Sequence, residues 1–340
     1  MVRAAISSLL PVFLFLAGCS GVTEHEMLYD AEMRVFSGAS LIPLVTLETD
    51  QDSRCILVRN KRIYIGGTDG FVRCYNEDSH NLLEEVQVGQ PSTTGYLDME
   101  YSPVEGSIYM IGALGMILEL SPVDCSILDE FSVSPFPAML EISPGEPGFL
   151  WVVESSLNQV IQVHPVTNGV CNILNVPSYC VISSLGSCAR EDSILLGTSE
   201  GYFRLEVTEA GGLRSTILDG FQYACQAIAP NPADSGFVTV LRMYQNTMVG
   251  EMHVYHDSPG VGPFDIFTHA VQIQGSIFMM ETGTHDELVY ILSSYGSGES
   301  LLSVYRPGDE YGLEAQVEIP GNPLDLSVSE GGEVYVLSCR

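Results

Sequence analysis

The sequence predicts an all-β chain folded as a seven-bladed β-propeller, closed by pairing N- and C-terminal strands in one blade. Three observations carry that prediction. An apolar strand followed by a turn signal recurs as IYIGG at Ile63, IYMIG at Ile108, LWVVE at Leu150, ILLGT at Ile194, FVTVL at Phe237, VYILS at Val289 and VYVLS at Val334. The copies lie 45, 42, 44, 43, 52 and 45 residues apart, a period that belongs to propeller blades. Each copy sits in a similar run of four strands. The strands left over at one end of the chain match those missing at the other.

The four-strand run is read from its punctuation. The stretch Arg62 to Tyr101 shows it most plainly and reads as one antiparallel unit. Arg62–Gly66 is apolar and β-branched. Thr68-Asp69-Gly70 is a turn, because Asp caps its own backbone and Gly accepts positive φ. Phe71–Tyr75 alternates like a half-buried strand, Leu82–Val88 is a third run, and Leu97–Tyr101 starts again after Gly-Gln-Pro. Along the rest of the chain each repeat is preceded by a strand ending in a turn: LDMEYSP, AMLEISP, VISSLGS, ACQAIAP, IFMMETG and LDLSVSE. Pro103, Pro144 and Pro230 end three of these, since proline cannot continue a ladder. A third strand follows each repeat, and a more polar fourth strand closes it.

Six copies are complete between about Cys55 and Ile319, whereas the seventh has only Leu324–Ser329 and Val334–Ser338. Met33–Phe36 and Leu41–Glu48 are unassigned at the other end. Pairing the two ends in one sheet removes open edges, which is the physical gain from closing a ring. Outside the N-terminal segment no run carries the 3.6-residue pattern of an ordinary helix. The Gly/Pro/Asn-rich stretches Tyr244–Gly250 and Ser258–Pro263 are loops of the fifth unit.

Residues 1–18 have the form of a signal peptide: Arg3 supplies the positive start, and Leu9–Leu16 is an apolar run too short for a membrane span. Leu16-Ala17-Gly18-Cys19 resembles the bacterial lipoprotein signal, the lipobox. That resemblance implies cleavage before Cys19 and a diacylglycerol on its sulfur, an anchor that holds through buried CH₂ groups at about 0.8 kcal/mol each. Residues 19–32 are then a lipidated tether, and residues 33–340 the propeller. The expected location is the bacterial cell envelope, with Ser20 favouring the outer membrane over the inner. Membrane contact would run through the anchor alone.

Composition limits the partners. The 340 residues are 46% hydrophobic, ample for a core, and carry 43 acidic against 13 basic groups for a formal charge of −30, with Lys61 the only lysine. So acidic a chain repels phosphate backbones, which argues against nucleic acid. No calcium loop of the D-x-[DN]-x-[DN]-G type is present, no G-x-S-x-G elbow, and no phosphate-binding G-x-x-x-x-G-K-[ST].

Leu150–Ile182, LWVVESSLNQVIQVHPVTNGVCNILNVPSYCVI, resembles the YVTN-type, NHL-type and quinoprotein-like β-propellers. The resemblance runs over most of residues 33–339 and implies architecture rather than function. The Gly-His and Trp-Asp dipeptides of WD repeats are missing. Trp151 is the only tryptophan, so the tryptophan-docking repeats of quinone-dependent dehydrogenases are missing too.

Candidate sites follow from register. Glu100 and Glu141 share one position of adjacent inner strands, and Asp98 and Asp325 share another. Paired carboxylates at a channel mouth can hold a divalent cation or divide acid and base roles. They can equally line a water-filled channel or bind the backbone of the next blade. Beyond Cys19 there are eight cysteines, an even number that invites disulfides in an oxidising compartment. Cys180 and Cys225 begin inner strands of neighbouring blades and are a possible pair, while Cys74 and Cys339 read as buried small hydrophobes. His253 and His256, three apart on a strand, point to opposite faces unless the strand bends. The expectation is a non-catalytic binding or scaffold module for an envelope or extracellular protein, without a cofactor. The alternative is a metal-dependent hydrolase or lactonase using Ca²⁺ or another divalent cation on Asp98, Glu100, Glu141 and Asp325.

Overall fold

The repeat resolves into four-stranded antiparallel sheets arranged around an axis. The computed structural model describes residues 31–339 except 50–51, 92–97, 113–114, 144, 146, 188–192, 209–210, 221–222, 231–236, 244–248, 257–264, 275, 284–285, 295–297 and 307–311. The lipobox with Cys19, most of the tether, and Cys188 lie outside the described residues.

The chain opens with the hairpin β1 (Ala31–Ser37) and β2 (Ile42–Glu48). The next sheet is β3 (Ser53–Arg59), β4 (Arg62–Gly67), β5 (Phe71–Asn76) and β6 (Leu82–Gln87). A second follows with β7 (Met99–Ser102), β8 (Ser107–Ile111), β9 (Met116–Leu120) and β10 (Ile127–Ser132). The third holds β11 (Pro137–Ile142), β12 (Leu150–Glu154), β13 (Gln159–His164) and β14 (Gly169–Asn175). The fourth holds β15 (Ile182–Ser187), β16 (Ser193–Thr198), β17 (Gly201–Val207) and β18 (Leu213–Gly220). The fifth is β19 (Tyr223–Pro230), β20 (Phe237–Met243), β21 (Val249–His256) and β22 (Asp265–Gln274). The sixth is β23 (Ser276–Gly283), β24 (Leu288–Ser294), β25 (Glu299–Arg306) and β26 (Gly312–Pro320). The chain ends with β27 (Asn322–Val328) and β28 (Val334–Cys339).

Six blades, not seven, are continuous in the chain. The remaining four-stranded sheet has the order β2-β1-β28-β27 and is built from both ends. Its central ladder pairs Ala31 with Cys339, Met33 with Leu337 and Val35 with Tyr335. The first strand begins at Ala31, two residues before the expected start of the propeller at residue 33. The grouping of Leu97–Tyr101 with the three strands before it is corrected. Met99–Ser102 pairs with β8 as the inner strand of the next sheet, and Ser53–Arg59 is the inner strand of the earlier one. β6 is an exposed outer strand, so the chain has to cross back to the axis before another blade can start.

The second strand of each blade explains the strength of the repeat. β8, β12, β16 and β28 are buried at every position. Sheets stack on both of their faces, so the sequence is a continuous apolar run rather than an alternation. The outer strands β2, β6, β10 and β14 are mostly exposed, and they carry exposed apolar side chains such as Leu44, Leu82 and Leu128 beside their polar ones. Inner strands neighbour one another in the order β3, β7, β11, β15, β19, β23 and β27, and β27 returns to β3. Six of them, all but β7, carry a register shift near their start. A bulge there bends the strand and raises its twist where blades crowd the axis.

Candidate functional site

The inner strands bring five carboxylates together. Cross-strand pairing sets their register. Glu100 lies opposite Tyr109, Glu141 opposite Trp151, and Glu281 opposite Tyr290. Asp325 lies opposite Leu337, and Asp98 shares its level, its carbonyl accepting from Ile111 N. Asp98 and Glu281 belong to blades that are not neighbours, yet each raises the other acids' pKa through its charge. They therefore face a common interior, the central channel.

The two aspartates do the same structural work at two blade boundaries. Asp98 Oδ1 accepts from the N–H of Met99 at 2.9 Å, and its Oδ2 accepts from Leu140 N of the next blade at 2.7 Å. Asp325 Oδ1 accepts from Leu326 N at 2.8 Å, and its Oδ2 accepts from Ile56 N at 2.6 Å. The second bond ties the sheet made from both chain ends to the first continuous blade, and Ser327 Oγ, accepting from Val58 N at 3.0 Å, adds to it. Burial pushes Asp98 up to about 6, against the pull of the Leu140 and Met99 amides. Burial also raises Asp325 well above the usual carboxylate range, with the Ile56 amide opposing it and the Asp98 charge adding to it.

The glutamates answer mainly to burial and to each other. Burial raises Glu100, and the charges of Glu141, Asp98 and Glu281 raise it further. Glu141 is pushed up to about 8 by burial, then by Glu281 and Asp98, with hydrogen bonds from Ser187 opposing. Glu281 rises to about 7 through burial, which the Arg59 guanidinium opposes. Arg59 also spends hydrogen bonds on the carbonyls of Val58 and Val328, each at 3.4 Å. Among the described residues no three His, Cys, Asp or Glu side chains group closely enough to hold a metal ion. Of the four proposed metal ligands, Asp98 and Asp325 are taken by backbone N–H groups.

Glu281 was not among the sequence candidates. Written from its first residue, IFMMETG places its glutamate one position later than LDMEYSP and AMLEISP do. The useful anchor is the cross-strand partner on the following strand, Tyr109, Trp151 and Tyr290, which is buried in each case.

The cysteine expectation is corrected. Cys180 and Cys225 lie on opposite faces of the fourth blade. Cys180 packs with Trp151, Ile194 and Leu196 on the side of the third blade. Cys225 packs against Gly197 and Ser184 on the side of the fifth, where a Cβ on Gly197 would meet its sulfur at 2.9 Å. The intervening sheet keeps the sulfurs apart. Cys74 and Cys339 are buried as expected. His253 and His256 both lie on β21, and their side chains fall outside the described residues.

One face of the disc carries the connections between blades and those joining second to third strands. There Phe136, Leu157 and Tyr179 are 61%, 59% and 68% exposed. The backbone holds them in one neighbourhood. Ser155 N donates to Phe136 O at 3.2 Å, and Asn158 Nδ2 donates to the carbonyls of Val176, Pro177 and Cys180. The opposite face exposes the smaller Val104, Val123 and Val166.

No protein-family model matches the sequence, and no curated protein is similar to it. Solved structures share the fold. The chain is similar to Kuenenia stuttgartiensis hydrazine synthase, with a TM-score of 0.63 and 11% identity over 83% of this chain and 90% of that one. It is equally similar to the β-propeller domain of Myceliophteria thermophila Cps50 (Swd1), at TM-score 0.63 and 12% identity over 84% and 96% of the two chains. The WD40 repeats of RRP9 also give 0.63, at 13% identity over 85% and 94%. At such identities the likeness establishes a β-propeller and nothing finer.

Proposed function

We propose that this chain is a non-catalytic β-propeller module that binds a protein of the cell envelope or exterior through one face of the disc, held to the outer membrane by a lipid on Cys19. The observation that carries the reading is the exposed set Phe136, Leu157 and Tyr179. Aromatic side chains such as Phe136 and Tyr179 anchor protein interfaces, because they bury much area at small conformational cost. Propeller neighbours built from WD40 repeats supply the analogy and no more. Two experiments test it. Photo-crosslinking residues are placed at Phe136 and Tyr179, and separately at Val123 and Val166, in the full chain in its own cells. Protein adducts from the first pair are the expected result, and adducts only from the second pair, or none, would remove the reading. Metabolic labelling with a fatty acid tests the anchor, which Cys19→Ala should abolish.

The channel carboxylates favour a second reading, a cation-dependent hydrolase or lactonase at the channel mouth, with Glu100 and Glu141 as ligands or acid and base. Its test is the melting temperature of the purified protein in Ca²⁺. A rise lost in Glu100→Gln or Glu141→Gln supports the cation site, and an unchanged melt in every divalent ion tried supports the binding module.

A further inference from the structure

We propose that Cys74 and Cys125 are a disulfide-forming pair that covalently fastens the first continuous blade to the second. Cys74 lies on β5 in the first of these blades. Cys125 lies in the turn between β9 and β10 of the second. Both are fully buried in the same apolar cluster, with Val72, Leu118 and Leu120. Both are free thiols, and each lies near enough to the other across the blade boundary to shift its pKa. A disulfide would bring the two sulfurs to about 2 Å of each other.

The surroundings hold the turn in place for that bond. Tyr64 of β4 donates its hydroxyl to Pro122 O at 2.6 Å, which docks the turn on the first blade. Cys125 N donates to Ser121 O at 2.9 Å, and Ser121 N to Ser126 O at 2.9 Å, closing the turn on itself. Cys125 has a φ of 55°. The corresponding turn of the third blade puts Asn168 in that left-handed conformation, with a φ of 53°. Asparagine tolerates it, whereas cysteine has no such local compensation. A cysteine at this position aims its sulfur at Cys74 across the boundary.

The chemistry is thiol–disulfide exchange with an external disulfide as oxidant, either a small molecule or a protein. Arg62 Nη1 lies 3.5 Å from Cys74 Sγ. The nearby Cys125 thiol and then the Arg62 guanidinium lower Cys74 to about 7, while the Cys74 sulfur and burial raise Cys125. Cys74 is thus the better attacking thiolate wherever Arg62 has already reached it. Its sulfur displaces one half of the oxidant as a thiol. Cys125, once deprotonated, attacks Cys74 Sγ and expels the other half. The two protein thiols lose two electrons and two protons, and the external disulfide becomes two thiols. Because the folded pair is shut off from solvent, the exchange takes place as the chain folds.

The test is to refold the full chain from denaturant in a glutathione disulfide buffer and, in parallel, in reductant. Each sample is then alkylated under denaturing conditions and mapped by mass spectrometry. The expected result is a Cys74–Cys125 cross-linked peptide in the first sample alone. That sample should also melt about 5 °C higher than the reduced one, since the bond closes a long loop in the unfolded chain. The difference should vanish in the Cys74→Ser/Cys125→Ser double variant. Alkylation of both thiols after oxidative refolding to the native circular dichroism spectrum would overturn the proposal. So would pairing of either cysteine with a different one. The peptide map of the unmodified protein decides the matter even if the double variant fails to fold.

Discussion

Two rings of acid share the central channel and do opposite things. Asp98 and Asp325 each span a blade boundary, one oxygen on their own following amide and the other on the neighbouring inner strand. Glu100, Glu141 and Glu281 sit two pleats further along and crowd one another electrostatically. Both sets are desolvated carboxylates with raised pKa values, so the pKa alone does not tell them apart. Hydrogen-bond geometry does. A carboxylate that satisfies a buried N–H which nothing else can reach stabilises the ring. One whose main neighbours are other carboxylates is a charge held at a cost, which the solvent and Arg59 only partly offset.

The contrast is broken most severely at Asp325. Asp325→Ala leaves Ile56 N, on a strand buried beside it, without its acceptor, and should cost about 3 kcal/mol, since an orphaned buried donor loses its full hydration. The loss falls where the sheet assembled from both chain ends meets the first continuous blade. Chemical denaturation should show it, and amide exchange at Ile56 should accelerate with it. Unchanged exchange there would mean that backbone pairing alone closes the ring. Asp98→Ala makes the same deletion between two continuous blades and should cost about 2 kcal/mol, with faster exchange at Leu140. Asp98→Asn should recover part of that, because one side-chain oxygen remains to accept. If Asp98→Ala proved the costlier of the two, closure would not be the weak point of the ring.

The architecture was legible because second strands, buried on both faces, leave an unmistakable apolar signature at a regular interval. The boundary between the first two blades was harder to read. Arg62 to Tyr101 is contiguous and evenly punctuated, and nothing local marks that Met99–Ser102 has crossed from the rim back to the axis. The site was half legible. Glu100, Glu141, Asp98 and Asp325 were found by register, but register could not distinguish an aspartate that bonds the next strand from a glutamate that faces the channel. Glu281 escaped because IFMMETG opens on Ile277, just before its bulge, whereas AMLEISP opens on the bulged residue Ala138; counted from the bulge, Glu141 and Glu281 hold the same position. The Cys180–Cys225 pairing failed for a related reason. Both cysteines begin inner strands, but strand position does not say which side of a sheet a sulfur occupies.

The smallest effect, and the one that separates the rings by sign, belongs to Glu141→Gln. A carboxyl whose folded pKa lies near 8 holds its proton in the native state over a range where the unfolded chain has already lost it. The native state therefore binds more protons between about pH 4.5 and pH 8, and stability from this group falls as pH rises through that window. Removing the charge should raise the melting temperature by about 3 °C near pH 8.5 and leave it unchanged near pH 4. Asp98→Ala, by comparison, should destabilise at both ends of that range. A Glu141→Gln variant that lost stability at high pH would show that the hydrogen bonds from Ser187 outweigh the repulsion. Glu141 would then join the aspartates as a fastening between blades, and the distinction between the two rings would reduce to Glu100 and Glu281.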